Sequence, residues 1–80
     1  MTKKELEKEL LKSIEKHTQI VIGNNDYSTS LANLGIDSVY AAEVANDMED
    51  LLGIVIDDRD IAKFTSITAI LEYFDGHIKN

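Results

Sequence analysis

Apolar residues recur every three or four positions in three stretches of this 80-residue chain, the period of helices that bury one face. In the first stretch Leu6, Leu10, Leu11 and Ile14 share a face, while lysines and glutamates take the other. Thr2 followed by Glu5 forms a capping box ahead of it, so a first helix is expected from about Lys3 to about His17. In the second, Val39, Ala42, Ala45, Met48 and Leu52 make the stripe, broadened by Val44 and Leu51. Glu43, Asn46, Asp47, Glu49 and Asp50 fall largely outside it. Asp37 can cap this helix and Gly53 can end it in a left-handed conformation, which sets its span at about Ser38 to Leu52. Asp57 can cap a short third helix reaching about Lys63. Thr65 or Ser66 can cap a last one, on which Ile67, Ile70, Leu71, Phe74 and Ile78 share a face.

Between Thr18 and Asp37 the periodicity fails, and Gly23-Asn24-Asn25-Asp26 and Ser28-Thr29-Ser30 supply turn chemistry. A connection of this length is usually functional or held by its own side chains, and Ile20, Val21, Ile22, Leu31 and Leu34 are the expected anchors. Gln19 to Ile22 has the composition of a short strand but no evident partner to pair with. The expected fold is therefore all-α: a four-helix bundle of three main helices and one short one, with a long first loop, as a single domain over residues 1–80. A chain this small buries only about 60% of the surface its unfolded form exposes. With no cysteine to staple it, a bundle of locally paired helices is the economical solution.

The charge is unevenly placed. Residues 1–36 hold five acids and five lysines, and residues 61–80 hold two of each sign, so both cancel. Residues 37–60 hold Asp37, Glu43, Asp47, Glu49, Asp50, Asp57, Asp58 and Asp60 against Arg59 alone, which accounts for the whole net charge of −7. Such a patch repels phosphate backbones and anionic lipid, so neither nucleic acid nor a membrane surface is an expected partner. It either steers proteins with basic surfaces toward the second helix or simply solvates that face. No apolar run approaches the roughly 20 residues that span a bilayer, and Met1-Thr2-Lys3-Lys4 leads into alternating charge rather than a signal core. A cytoplasmic monomer is expected.

Few residues suit catalysis. A serine nucleophile needs a base within hydrogen-bond reach, and neither His17 nor His77 has a sequence context that places it beside Ser38. Asp57, Asp58 and Asp60 lack the alternation, the sixth-position glycine and the distant glutamate of a calcium loop, so capping and surface charge are their expected roles. No metal site is expected. Tyr40 lies two places after Ser38 and outside the stripe, either presented to a partner or folded back over the loop.

What stands out is Leu34-Gly35-Ile36-Asp37-Ser38-Val39, a serine just past a glycine turn at the start of an acid-laden helix. Taken alone, Asp-Ser there is ordinary capping chemistry. The combination resembles the acyl carrier proteins, in which a Leu-Gly-x-Asp-Ser-Leu segment opens the second helix of a four-helix bundle. Leu34, Gly35, Asp37 and Ser38 match as written, and Val39 replaces the usual leucine. The pattern of apolar and acidic positions extends the resemblance from Leu31 through Phe74, and helix one fits in length and facing.

The resemblance implies a carrier, not an enzyme. A 4'-phosphopantetheine arm from coenzyme A would be attached to Ser38 by a phosphopantetheinyl transferase, and would hold acyl groups as thioesters for enzymes that make or transfer them. Asp37 would fix the helix start and contact the transferase, and Val39, Tyr40, Glu43, Asn46, Asp47 and Asp50 would be partner contacts. The small residues Ala41, Ala42, Ala45 and Ala69, with Ile70, either leave room for an acyl chain between helices or permit close packing. Val55-Ile56-Asp57 lacks the proline of many fatty-acid carriers. Tyr40 and Asn46 also depart from their pattern, so a polyketide or other specialised pathway is at least as well matched as fatty-acid synthesis. Peptidyl carriers, D-alanyl carriers and a non-carrier acidic helical adaptor are the alternatives.

Overall fold

The computed structural model describes residues 1–76, and these fold as four helices joined by loops with no strand among them. Helix α1 spans Lys3–Thr18, α2 Ser38–Leu52, α3 Asp58–Ile61 and α4 Ile67–Asp75. The radius of gyration is 11.4 Å. Ile78 and His77 lie outside the described residues.

The capping box that opens α1 forms in both directions: Glu5 N–H donates to Thr2 Oγ1 at 3.2 Å, and Thr2 N–H donates to Glu5 Oε1 at 3.0 Å. Leu6, Leu10 and Ile14 are buried and Leu11 is partly so. The helix runs one residue past His17, because Thr18 Oγ1 donates back to Ile14 O at 2.7 Å and accepts from Ile20 N–H at 3.0 Å. Gln19 then closes it in the left-handed region, φ 61°, where a residue with a Cβ is strained. That reversal is why Gln19 to Ile22 is loop and not strand.

The long first loop is more ordered than its composition suggests. It contains two 3-10 turns, Asn24–Asp26 and Leu31–Leu34, the second capped by Ser30 Oγ, which accepts from Asn33 N–H at 3.3 Å. Leu31 is buried, and Ile20, Ile22 and Leu34 pack against the core. Val21 does not: it is 75% exposed, since its two neighbours turn inward and the side chain between them faces out. Tyr27, absent from the expected anchors, ties the loop to α4, where its carbonyl accepts from Thr68 N–H and Thr68 Oγ1, both at 3.1 Å. Leu31 N–H donates to Thr65 O at 2.9 Å beside it.

Helix α2 has the expected span, but its buried face is rotated from the expected stripe. Ala41, Val44, Ala45 and Met48 are buried, whereas Val39 is 63% exposed and Ala42 is exposed as well. Two stripes at helical spacing overlap in this sequence, and the larger side chains Val44 and Met48 decide which faces α1. Gly53 ends the helix at φ 68°, as its position predicts. Glu49, expected on the outer face, turns back instead, and its carboxylate accepts from Ile56 N–H at 2.6 Å. That bond seats Ile56 in the core and leaves Val55 exposed.

Helix α3 is a single turn that stops at Ile61, short of Lys63. Its N-cap, Asp57, accepts from Arg59 N–H at 2.8 Å and receives the Arg59 guanidinium at 2.9 and 3.2 Å. Ser66 and not Thr65 caps α4, accepting from Ala69 N–H at 3.1 Å. Ile67, Ile70 and Phe74 are buried on that helix and Leu71 is partly so. Phe64, in the connection before it, is buried against the rings of Tyr73 and Phe74 at 5.2 and 5.6 Å. Tyr73 Oη donates to Asp60 Oδ2 at 2.9 Å and pins α3 to α4. No helix among the described residues is long and apolar enough to cross a membrane.

Candidate functional site

Three local devices hold Ser38 where it is. Gly35 takes φ 87°, closed to most side chains, and reverses the chain after the second 3-10 turn. Ile36 then enters the core, 3% exposed, with its N–H on Leu31 O at 2.9 Å. Asp37 is extended and caps α2 as the sequence predicts: its carboxylate accepts from Tyr40 N–H at 3.0 Å and its carbonyl from Ala41 N–H at 2.9 Å. Ser38, the first helical residue, is left exposed.

Beside Ser38 runs an open cleft of about 730 Å³ between α2 and the α3 region. Leu31, Ile36, Ala41, Ile61 and Phe64 make its apolar wall, and Asp37 and Asp58 stand among its polar lining. Of the small residues singled out, Ala41 lines this space and Ala45 is buried in the core, whereas Ala42 faces out. A second cleft, about 300 Å³ between Lys3 and Leu6 on α1 and Leu71 and Asp75 on α4, shares no residue with it.

The arrangement suits a phosphate ester better than a nucleophile. The first-turn N–H groups of a helix lack intrahelical partners, and together with the helix dipole they favour an anion at that end. Asp37 satisfies only one of them. A base is not at hand in His17, whose ring nitrogens are both committed to α2: Nδ1 to Glu43 Oε2 at 2.8 Å and Nε2 to Asp47 Oδ2 at 2.9 Å.

The acidic face is also divided. Asp47 turns toward α1, where Ser13 Oγ donates to it at 2.7 Å and Lys16 Nζ lies 3.4 Å away. Burial pushes the Asp47 carboxyl up, but hydrogen bonds from Ser13, His17 and Lys16 outweigh it and hold the group below the usual aspartate value. Tyr40 is half-buried against the core, so its ring folds back. Val39, Asn46 and Asp50 are exposed, and Glu43 keeps 45% of its side chain exposed beside His17. Asp57 and Asp60 are occupied by Arg59, Tyr73 and Lys63.

Against known families, residues 8–74 match the model of the phosphopantetheine attachment site. The chain belongs to this phosphopantetheine-attachment family. The carrier domain is also 26% identical over 72 residues to an acyl carrier protein homolog of Ureaplasma parvum serovar 3, covering 90% of this chain and 94% of that protein. No solved structure matches it. Membership gives the carrier domain 4'-phosphopantetheine as its prosthetic group, and separates it from the non-carrier adaptor that its acidity alone allowed.

The contact between Ser13, His17, Glu43 and Asp47 is the feature of the carrier domain that sequence reasoning missed. Its signal was present: Ser13 and His17 are four apart on α1, Glu43 and Asp47 four apart on α2, and Ser13 sits next to the apolar stripe.

Proposed function

We propose that Ser38 carries the 4'-phosphopantetheine arm and that the protein shuttles acyl intermediates for fatty-acid or, at least as readily, polyketide or other specialised acyl synthesis. The observation that supports the site best is Ser38 itself, an exposed hydroxyl on the first residue of a capped helix, at the rim of an apolar cleft. When bound, the arm supplies a terminal thiol that holds the acyl group as a thioester. The chain's own residues present the hydroxyl and steady the helix end. Asp37 fixes the first turn, Ile36 anchors the approach, and the N–H groups of that turn offset the phosphate charge. The transferase provides the base and the metal, so Ser38 needs no histidine beside it. In this reading the protein is a substrate of its partner enzymes. Their basic surfaces meet Val39, Asn46, Asp50 and the exposed part of Glu43, while Tyr40 and Asp47 contribute from the edge.

The test is loading. The protein is incubated with coenzyme A and a broad-specificity phosphopantetheinyl transferase, and its intact mass is followed. Gain of one phosphopantetheine group by the wild type and none by Ser38→Ala supports the proposal; equal gain by both places the arm elsewhere. Offering the loaded protein to fatty-acid, polyketide and amino-acid-activating enzymes then assigns the pathway.

A further inference from the structure

Three side chains of α1 converge on the acidic face of α2. Ser13 Oγ donates to Asp47 Oδ2 at 2.7 Å, and His17 Nε2 and Lys16 Nζ stand 2.9 and 3.4 Å from the same oxygen. His17 Nδ1 stands 2.8 Å from Glu43 Oε2. The Asp47 side chain is left only 28% exposed, whereas nearly half of Glu43 still faces solvent. Asp50, one turn further along α2, is exposed and takes no part in these contacts.

We infer that Ser13, Lys16 and His17 act as an internal competitor for the basic partners of α2, masking Asp47 and part of Glu43 and so steering those partners onto Asp50 and the Ser38 end. The inference rests on the reading of the protein as a carrier on which basic enzymes dock. A partner's lysine or arginine gains from a carboxylate only what its existing neighbours leave unused. At Asp47 one oxygen already serves three groups, so an incoming cation must displace them or pass the Lys16 ammonium, which repels it. At Glu43 one ring nitrogen is engaged, and at Asp50 nothing has to be displaced. Two parts of the mask are fixed, because Ser13 is buried and His17 nearly so. Lys16 is 64% exposed and is the part that can move aside. The coupling is reciprocal: a partner that reaches the middle of α2 is weakened by the mask as much as it weakens the mask. Partners that touch only the Ser38 end are unaffected, so the mask separates the two kinds.

Loading of the intact protein from coenzyme A by a broad-specificity phosphopantetheinyl transferase at low ionic strength tests this, with Lys16→Gln compared to Lys12→Gln. Lys12 lines the same groove on the same helix but lies outside the contacts to Asp47 and Glu43, so each variant loses one positive charge and only Lys16→Gln unmasks a carboxylate. The buried contacts of Leu10, Ile14 and Met48 hold α1 against α2 in both. The KM of the transferase for Lys16→Gln is expected to fall about two- to fivefold below that for Lys12→Gln with kcat unchanged, the size of one partly exposed charge pair. Lys16→Arg is expected to behave as wild type, and the gain to vanish when Lys16→Gln is combined with Asp47→Asn. Equal KM values for the two glutamine variants, or a gain that survives Asp47→Asn, overturns this inference alone. A wild type that takes up no phosphopantetheine overturns the carrier reading and this inference together.

Discussion

At the scale of single residues, short polar side chains open the helices, Asp37 doing so beside Ser38, and most of them were legible in the sequence. Thr2 with Glu5, Asp37, Asp57 and Ser66 cap helices because each precedes an apolar period by the right spacing. What local spacing does not reveal is a carboxylate that reaches across to another element. Glu49 and Asp47 read as outer-face charges, yet one holds a backbone N–H of the next loop and the other faces α1. Asp47 leads to a pH prediction whose sign follows from its lowered carboxyl. A carboxylate whose folded pKa lies below its unfolded one contributes stability that is complete above the unfolded value, here 3.8, and lost as pH falls through the folded value. Asp47→Asn is therefore expected to be less stable than wild type at neutral pH, with the gap closing below about pH 4; acid titrations of both proteins followed by circular dichroism measure it. Gln19 makes the opposite kind of prediction. Its positive φ suits glycine, so Gln19→Gly is expected to gain roughly 0.5–1 kcal/mol in urea unfolding despite the added freedom of the unfolded chain.

At the scale of elements, existence and type were readable while facing and extent were not. Helix α1 carries one stripe and faces as predicted. Helix α2 carries two overlapping stripes, and only packing against Leu10 and Ile14 settles that Val44 and Met48 go in and Val39 stays out. Helix α3 is too short to have a period, and Tyr73 and the Asp57 cap hold it from outside. In the first loop the turn chemistry of Asp26 and Ser30 was readable, but the tie of Tyr27 to Thr68 that fastens the loop to α4 was not, because it joins residues far apart in sequence. Glu49 gives the prediction at this scale. Glu49→Ala leaves the N–H of the buried Ile56 without its partner, at an expected cost of about 1–3 kcal/mol. Hydrogen exchange should rise first at residues 53–57 and spread to the cleft wall beside Ser38. Unchanged exchange there means that water replaces the carboxylate.

At the scale of the whole molecule, the bundle presents one end of α2 and withholds part of the same helix's charge. The Leu34 to Val39 segment was the most legible part of the candidate site, since a glycine reversal, a buried isoleucine and a capping aspartate are each local. The charge count located the acidic region but did not divide it into carboxylates that face α1 and carboxylates that face solvent. That division predicts how partners are steered: neutralising Asp50 and Glu43 is expected to slow transferase association and flatten its dependence on salt, and neutralising Asp47 to do so less. Stopped-flow association rates across ionic strength, on variants of matched stability, measure the difference. The most direct test of the molecule as a carrier is to locate the arm. Wild-type protein loaded from coenzyme A is digested and the modified peptide fragmented. The expected result is a single phosphopantetheine on Ser38, with Ser28, Ser30 and Ser66 unmodified; an arm on any other residue, or none with an active transferase, contradicts the assignment.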